Sequence, residues 1–315
     1  VTQTPDPAPA SISSQVARVR SRTSYRDSRA AALMIAPNAI MFAIFIAVPV
    51  VGGLLLSFTT WDITNGFPKW VWFANYQKMI HDPLVWQSVE TTLKFIVFGV
   101  LPTVIISLFL AMLINFRFRL VGAVRSLYLI PAAMSFAASA VVWRILFQDG
   151  PGYGVIDYVI TLFGVKTPPD WLASSTWALP GLDIITIWLS LPIATVLYLA
   201  ALQRIPLSVV EAATLDGAGS MQRVRYIIWP GVRYMTVLVA IVALLAFTNG
   251  SFDLVNILTK GDPIYATQTL IYYIFVNGFS YGLFGYAAAL SILQIVLIGG
   301  ILVLLHLISK LVSRW

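Results

Sequence analysis

The chain has 315 residues, 59% of them hydrophobic and only 10% charged, where an ordinary soluble domain carries roughly 25% charged residues. Its formal net charge of +7 does not point to nucleic acid, because the basic residues gather in alternate loops between long apolar runs, as membrane topology requires. Cysteine is absent, which excludes disulfides, thiolate chemistry and cysteine metal ligands.

Residues 1–29 are rich in Pro, Ser, Ala and Arg without apolar periodicity and read as a flexible basic tail. The apolar run from Ala31 to Phe58 is too long for a signal peptide and has no clear small-residue cleavage site, so it reads as a retained span. Further spans are predicted at roughly 88–116, 122–147, 177–202, 232–257 and 283–309, each able to cross a bilayer, which takes about 20 residues. The expectation is an all-α polytopic membrane protein with about six transmembrane helices, residues 30–315 forming one domain. No run of ten-residue alternating strands argues for a barrel.

The segment 59–87 carries Trp61, Trp70, Trp72 and Trp86, which belong either to the headgroup belt or to a contact with an external partner. In the segment 148–176, Val155 to Phe163 has the pattern of a short helix on the membrane surface. Thr267 to Phe279 reads as a partial return into the membrane. Fourteen of the 20 basic residues fall in the tail, after the second and fourth spans, and at the C-terminus. Both termini, and the polar loop 203–231, are therefore expected on the cytoplasmic side.

That loop is the most informative stretch. Ser208 and Glu211 have capping-box spacing, Asp216-Gly217-Ala218-Gly219 breaks the helix, and Ser220 is placed to cap a second helix that runs through Arg223 and Arg225 to Pro230. Glu211-Ala212-Ala213, then Gly217, then Ile227-Ile228-Trp229-Pro230 resembles the EAA loop of permease subunits of bacterial ABC importers, with Trp229 where the family usually has Leu. Leu129-Ile130-Pro131-Ala132 through Trp143-Arg144-Ile145-Leu146-Phe147 is similar to the third-span signature of sugar permeases. Phe252-Asp253, Thr259-x-Gly261-x-Pro263 and Thr267-x-Thr269-Leu270 are similar to their later motifs, with Asp262 in place of a glycine. The likeness runs from about residue 31 to 310, and the subgroup it resembles is that of the MalF/UgpA-like carbohydrate permeases.

The resemblance implies a type I ABC importer permease fold in the bacterial plasma membrane, with the loop as a cytoplasmic coupling-helix hairpin. Glu211, Ala212, Ala213, Asp216, Gly217 and Ala218 are then the residues that dock into an ATP-binding cassette ATPase dimer. It further implies a second homologous permease subunit, an external solute-binding lipoprotein and a sugar-like substrate. No cofactor is expected on this chain: it has no GxxxxGK[ST] phosphate loop, so ATP and Mg belong to the partner ATPase, and the chain itself is expected to be non-catalytic.

Polar groups inside a membrane helix are costly and usually face a cavity. Asn249, Phe252, Asp253 and Asn256 recur at i, i+3, i+4 and i+7 on the fifth span. Their amide and carboxylate oxygens suit sugar hydroxyls and the aromatic face suits the ring C–H side. Tyr286, Ser291 and Gln294 on the sixth span, with Ser190, Thr195 and Tyr198 on the fourth, are further candidates for the substrate path. The competing readings are an Asp253–Lys260 pair at the interface and amides that join helices. His81 and His306 are isolated, so no metal site is expected. The pattern leaves a neutral sugar, an amino sugar or a glycerophosphodiester open as solute. A stand-alone secondary transporter is the alternative of another class, and no inverted repeat supports it.

Overall fold

The computed structural model describes residues 31–62, 66–115, 128–147 and 154–312. The tail expected over 1–29 and the basic turn with Arg117, Arg119 and Arg125 lie outside the described residues. Helix α1 (Ala31–Leu56) has a mean hydropathy of 2.7 over its most apolar window and contains a π-turn at Ala43–Ala47. It belongs to a unit, Val1–Leu55, separate from Leu56–Trp315.

The second unit begins with a two-stranded ribbon, β1 (Thr59–Thr60) antiparallel to β2 (Lys69–Trp70), followed by α2 (Ala74–His81) and the 33-residue α3 (Pro83–Asn115). A 3-10 turn at Ile130–Ala133 leads into α4 (Phe136–Leu146), and α5 (Val155–Leu162) precedes α6 (Ala178–Leu202). The polar loop contains α7 (Leu207–Leu215) and α8 (Ser220–Arg223). A π-turn at Val224–Ile228 joins α8 to α9 (Trp229–Leu254), and a second at Val255–Thr259 ends it. Then come α10 (Leu270–Phe275), a π-turn at Val276–Ser280, and α11 (Phe284–Val312).

Among the described residues, five helices are long and apolar enough to cross a membrane: 31–56, 83–115, 178–202, 220–259 and 284–310. The chain is therefore a multi-pass membrane protein. Within the third expected span, 122–147, the described residues form the 3-10 turn at Ile130–Ala133 and the 11 residues of α4, the latter about 16 Å at 1.5 Å per residue, and 122–127 lie outside the described residues. The fifth span differs from expectation by being one unbroken helical rod from Ser220 to Thr259. Pro230 does not start a new helix. It sits in the first turn of α9, directly after the π-turn at Val224–Ile228.

The centre of the bundle is the packing of α3, α6 and α9 around Phe95, Leu182, Ile185, Leu244 and Phe247, each at most 1% exposed. Ala111, Tyr198, Leu202 and Val232 fill the end of the bundle that carries the polar hairpin. Val85, Leu270, Tyr273, Tyr286 and Leu290 fill the opposite, distal end. Gly99 permits the close approach of α3 to α9, because a Cβ there would fall inside the Phe247 ring. Gly99→Leu is accordingly expected to lower the thermal midpoint of the detergent-solubilised chain, overpacking of this kind costing about 1–3 kcal/mol. An unchanged midpoint would mean that this contact is not tight.

At the distal end the loop 260–269 is tied down on both sides. The Thr267 hydroxyl lies 2.7 Å from that of Thr259 and 2.8 Å from the Asp262 carbonyl. The Gln268 amide donates to Ser88 Oγ at 3.1 Å, and the Leu270 N–H donates to Thr92 Oγ1 at 2.8 Å. Thr267 thus ties the loop to the end of the π-turn after α9, and Gln268 and Leu270 tie it to α3. The short helix expected at Val155–Phe163 is present as α5, held by a buried contact in which Trp171 Nε1 donates to Asp157 Oδ1 at 2.8 Å.

Candidate functional site

The polar hairpin leaves the bundle at Gln203 and returns at Pro230 with no fully buried residue between them. Helix α7 starts at Leu207 after Pro206, which sets an extended ψ of 132° and supplies no side-chain cap. The Ser208–Glu211 capping box expected from spacing is therefore not formed: the helix begins one residue before Ser208, so its hydroxyl is already inside the first turn. Ser220 is likewise not a cap. Gly219 takes that position, and its N–H donates to Gln222 Oε1 at 2.7 Å.

The turn itself follows the expected chemistry. Gly217 has φ +79°, its N–H donates to Thr214 O at 3.1 Å, and the Ala218 N–H donates to Ala213 O at 2.9 Å. This is a Schellman ending, in which a left-handed residue lets the chain turn back and satisfy the last carbonyls. Arg223, which spacing did not single out, ties the two arms together: Nη1 donates to Thr214 Oγ1 at 3.2 Å and Nη2 to Ser220 Oγ at 3.3 Å. A hollow of about 390 Å³ in the crook of the hairpin is lined by Ala213, Asp216, Gly217, Ala218, Gln222 and Arg223. Leu207, Leu215, Met221 and Tyr226 are between 69% and 89% exposed. Glu211 and Asp216 have no ion-pair partner among the described residues. A knob with apolar tips, small residues at its bend and unpaired acidic groups at its rim is suited to insertion into another protein.

The second arm of this knob runs on as the rod 220–259, about 60 Å at 1.5 Å per residue. Its distal part carries Asn249, Phe252 and Asp253 on one face, while Asn256 lies in the π-turn. Asn249 is exposed, Phe252, Asp253 and Asn256 are half-buried, and none of the three polar side chains has a hydrogen-bond partner among the described residues. The alternative Asp253–Lys260 pair is not formed, whereas Glu90 and Lys94 on α3 pair at 2.7 Å. Phe252 meets Phe275 edge-on at 4.9 Å. Arg144 donates to the Ile257 carbonyl, so α4 holds the π-turn that presents Asn256.

The sixth-span candidates have contacts of their own. The Tyr286 hydroxyl donates to Asp82 at 2.9 Å beneath the Lys78 ammonium, Ser291 donates to the Ala287 carbonyl, and Gln294 Oε1 is buried without a partner among the described residues. On the fourth span Ser190 and Ala194 line a hollow of about 160 Å³ with Phe136 and Ala246. Thr195 and Tyr198 are fully buried.

Residues 95–314 match the model of the binding-protein-dependent transport system inner membrane component. The trehalose/maltose transport system permease protein MalF of Thermococcus litoralis is 32% identical over 88% of this chain and 92% of its own length. The sn-glycerol-3-phosphate transport system permease protein UgpA of Escherichia coli O157:H7 is 31% identical over 82% of this chain and 87% of its own. Among solved structures, a bacterial ABC transporter involved in the import of the acidic polysaccharide alginate superposes with a TM-score of 0.76 at 21% identity, covering 93% of this chain and 98% of that one.

Proposed function

The chain belongs to the family of binding-protein-dependent transport system inner membrane components, and from that membership we propose that it is the permease subunit of an ATP-driven importer of a sugar or sugar-like solute. As a member of a transport-permease family it is a non-catalytic subunit. A separate ATPase dimer hydrolyses ATP, a second homologous permease completes the passage, and an external binding protein delivers the solute. The hairpin and both termini face the cytoplasm, and the loop 260–269 faces outward.

The observation that carries this reading is the continuity of the rod 220–259. A push on the hairpin from the ATPase moves the polar face at Asn249 and Asp253 as part of the same body, with the π-turns at 224–228 and 255–259 as the points where the rod gives. Two-state reorientation of that face is what alternating access needs. Relatives named for trehalose/maltose and for sn-glycerol 3-phosphate support a polyhydroxylated solute, and the uncharged-to-acidic character of Asn249, Asp253 and Asn256 favours the neutral sugar over the phosphate diester.

Reconstitution in proteoliposomes tests it, with radiolabelled trehalose, maltose and sn-glycerol 3-phosphate as probes. Accumulation of one of them is expected only when this chain, the second permease, the ATPase, the external binding protein and ATP are all present. Accumulation driven by an ion gradient with this chain alone would instead establish the secondary-transporter reading.

A further inference from the structure

A cavity of about 580 Å³ opens at the distal end between the first turns of α3 and α6 and is roofed by the loop 260–269 through Ala266. Gln87, Glu90, Thr91 and Lys94 line it at i, i+3, i+4 and i+7 of α3, so they share one helical face. Phe98 continues that face one turn further on, and the facing wall, from α6, is mostly apolar, with Leu179, Ile184 and Ile187. Into it projects Asp183, only 6% exposed. Its Oδ1 is fully occluded without a hydrogen-bond partner, and neither oxygen is bonded by a protein group among the described residues.

A buried carboxylate in a membrane helix costs free energy unless something donates to it. Lys94 does not: its ammonium is engaged with Glu90 at 2.7 Å. What the cavity holds can donate to the other oxygen, Oδ2. A metal ion would need several oxygen or nitrogen ligands, and no group of three His, Cys, Asp or Glu residues comes together among the described residues. A sugar ring meets both walls at once, its hydroxyls on Asp183, Thr91 and the Glu90–Lys94 pair, its C–H face on Phe98 and Leu179. The volume also falls within the roughly 300–1,000 Å³ of small-molecule sites.

We propose that this cavity is a second binding site for a polyhydroxylated solute, with the Asp183 carboxylate as its principal hydrogen-bond acceptor, distinct from the Asn249–Asp253 face. The loop that roofs it continues directly from the π-turn carrying Asn256, and Gln87 Nε2 donates to the Ile264 carbonyl of that loop at 3.3 Å. Solute in the cavity therefore touches the segment that connects to the path face. The inference rests on the reading of the chain as a solute permease.

The absence of cysteine makes the test direct. Ser175, exposed at the cavity mouth, is replaced by Cys in the assembled complex in proteoliposomes. Its reaction with a membrane-impermeant charged methanethiosulfonate is timed with and without maltose, trehalose or sn-glycerol 3-phosphate. One of these probes is expected to slow the reaction about tenfold, and Asp183→Ala to abolish that protection, as loss of a charge-assisted acceptor predicts. If Asp183→Ala does not assemble, Asp183→Asn is read instead, with weakened protection expected. Absence of protection by all three probes, or protection undiminished in the Asp183 variant that is read, overturns the site. Uptake by the wild-type complex in the same vesicles separates the two ideas: uptake without protection removes only this cavity, whereas an assembled complex that moves no probe removes the importer reading.

Discussion

Gly217→Val is expected to lower ATP-driven uptake and solute-stimulated ATP hydrolysis about tenfold while the subunits still assemble. At φ +79° a Cβ has no neighbour within 4 Å, so the effect is conformational. An L-residue in the left-handed region costs about 1–2 kcal/mol, a factor of roughly 5–30 in the population of the closed turn. Opening the turn breaks the Ala218–Ala213 hydrogen bond and moves Thr214 away from Arg223. Gly217→Asn serves as the control, because asparagine tolerates this backbone region and should retain most of the activity. Full uptake by the valine variant would show that the shape of the bend plays no part in coupling.

Asp82→Ala is expected to produce the largest loss of stability. Asp82 precedes Pro83 at the start of α3, and its Oδ1 accepts from the Leu84 N–H at 3.0 Å, which makes it an N-cap. Its Oδ2 accepts from the hydroxyls of Tyr273 at 2.7 Å and Tyr286 at 2.9 Å, so one carboxylate joins α3 to α10 and α11. Truncation strands two hydroxyls and an amide, each worth about 1–3 kcal/mol when left unsatisfied in a buried setting. The thermal midpoint of the solubilised chain should fall by several degrees, further than for Tyr273→Phe, which removes one donor and leaves the other two bonds in place. Equal losses in the two variants would show that Asp82 does not act as the shared acceptor.

The hairpin could be read from residues because its signals are local. A glycine at the bend, alanines before it and arginines after it lie within one short stretch, and the backbone there answers to them alone. The two caps were misplaced, by two residues and by one, for the same local reason. Pro206 and Gly219 hold the extended conformation that precedes each helix, and that conformation outweighed the hydroxyls of Ser208 and Ser220. Asp82 and Asp183 carried legible signals as well: an acidic residue before a proline marks a helix start, and an acid within a span marks a cavity or a partner. What they bond to was not legible, since Tyr273 and Tyr286 lie some 190 and 200 positions away.

By itself the sequence determined that this is a bundle of membrane helices with a polar hairpin at one end, because hydropathy, charge placement and turn chemistry are properties of neighbouring residues. Only the tertiary structure decided that the hairpin and the Asn249–Asp253 face are two ends of one rod. A π-turn carries the helix past Pro230, and proline alone reads as a break. It alone decided, too, that Tyr286 belongs to the Asp82 cluster, and that Asp183 faces a cavity. Those facts depend on which helices meet across the core, and Gly99 against Phe247 is the kind of contact that sets them.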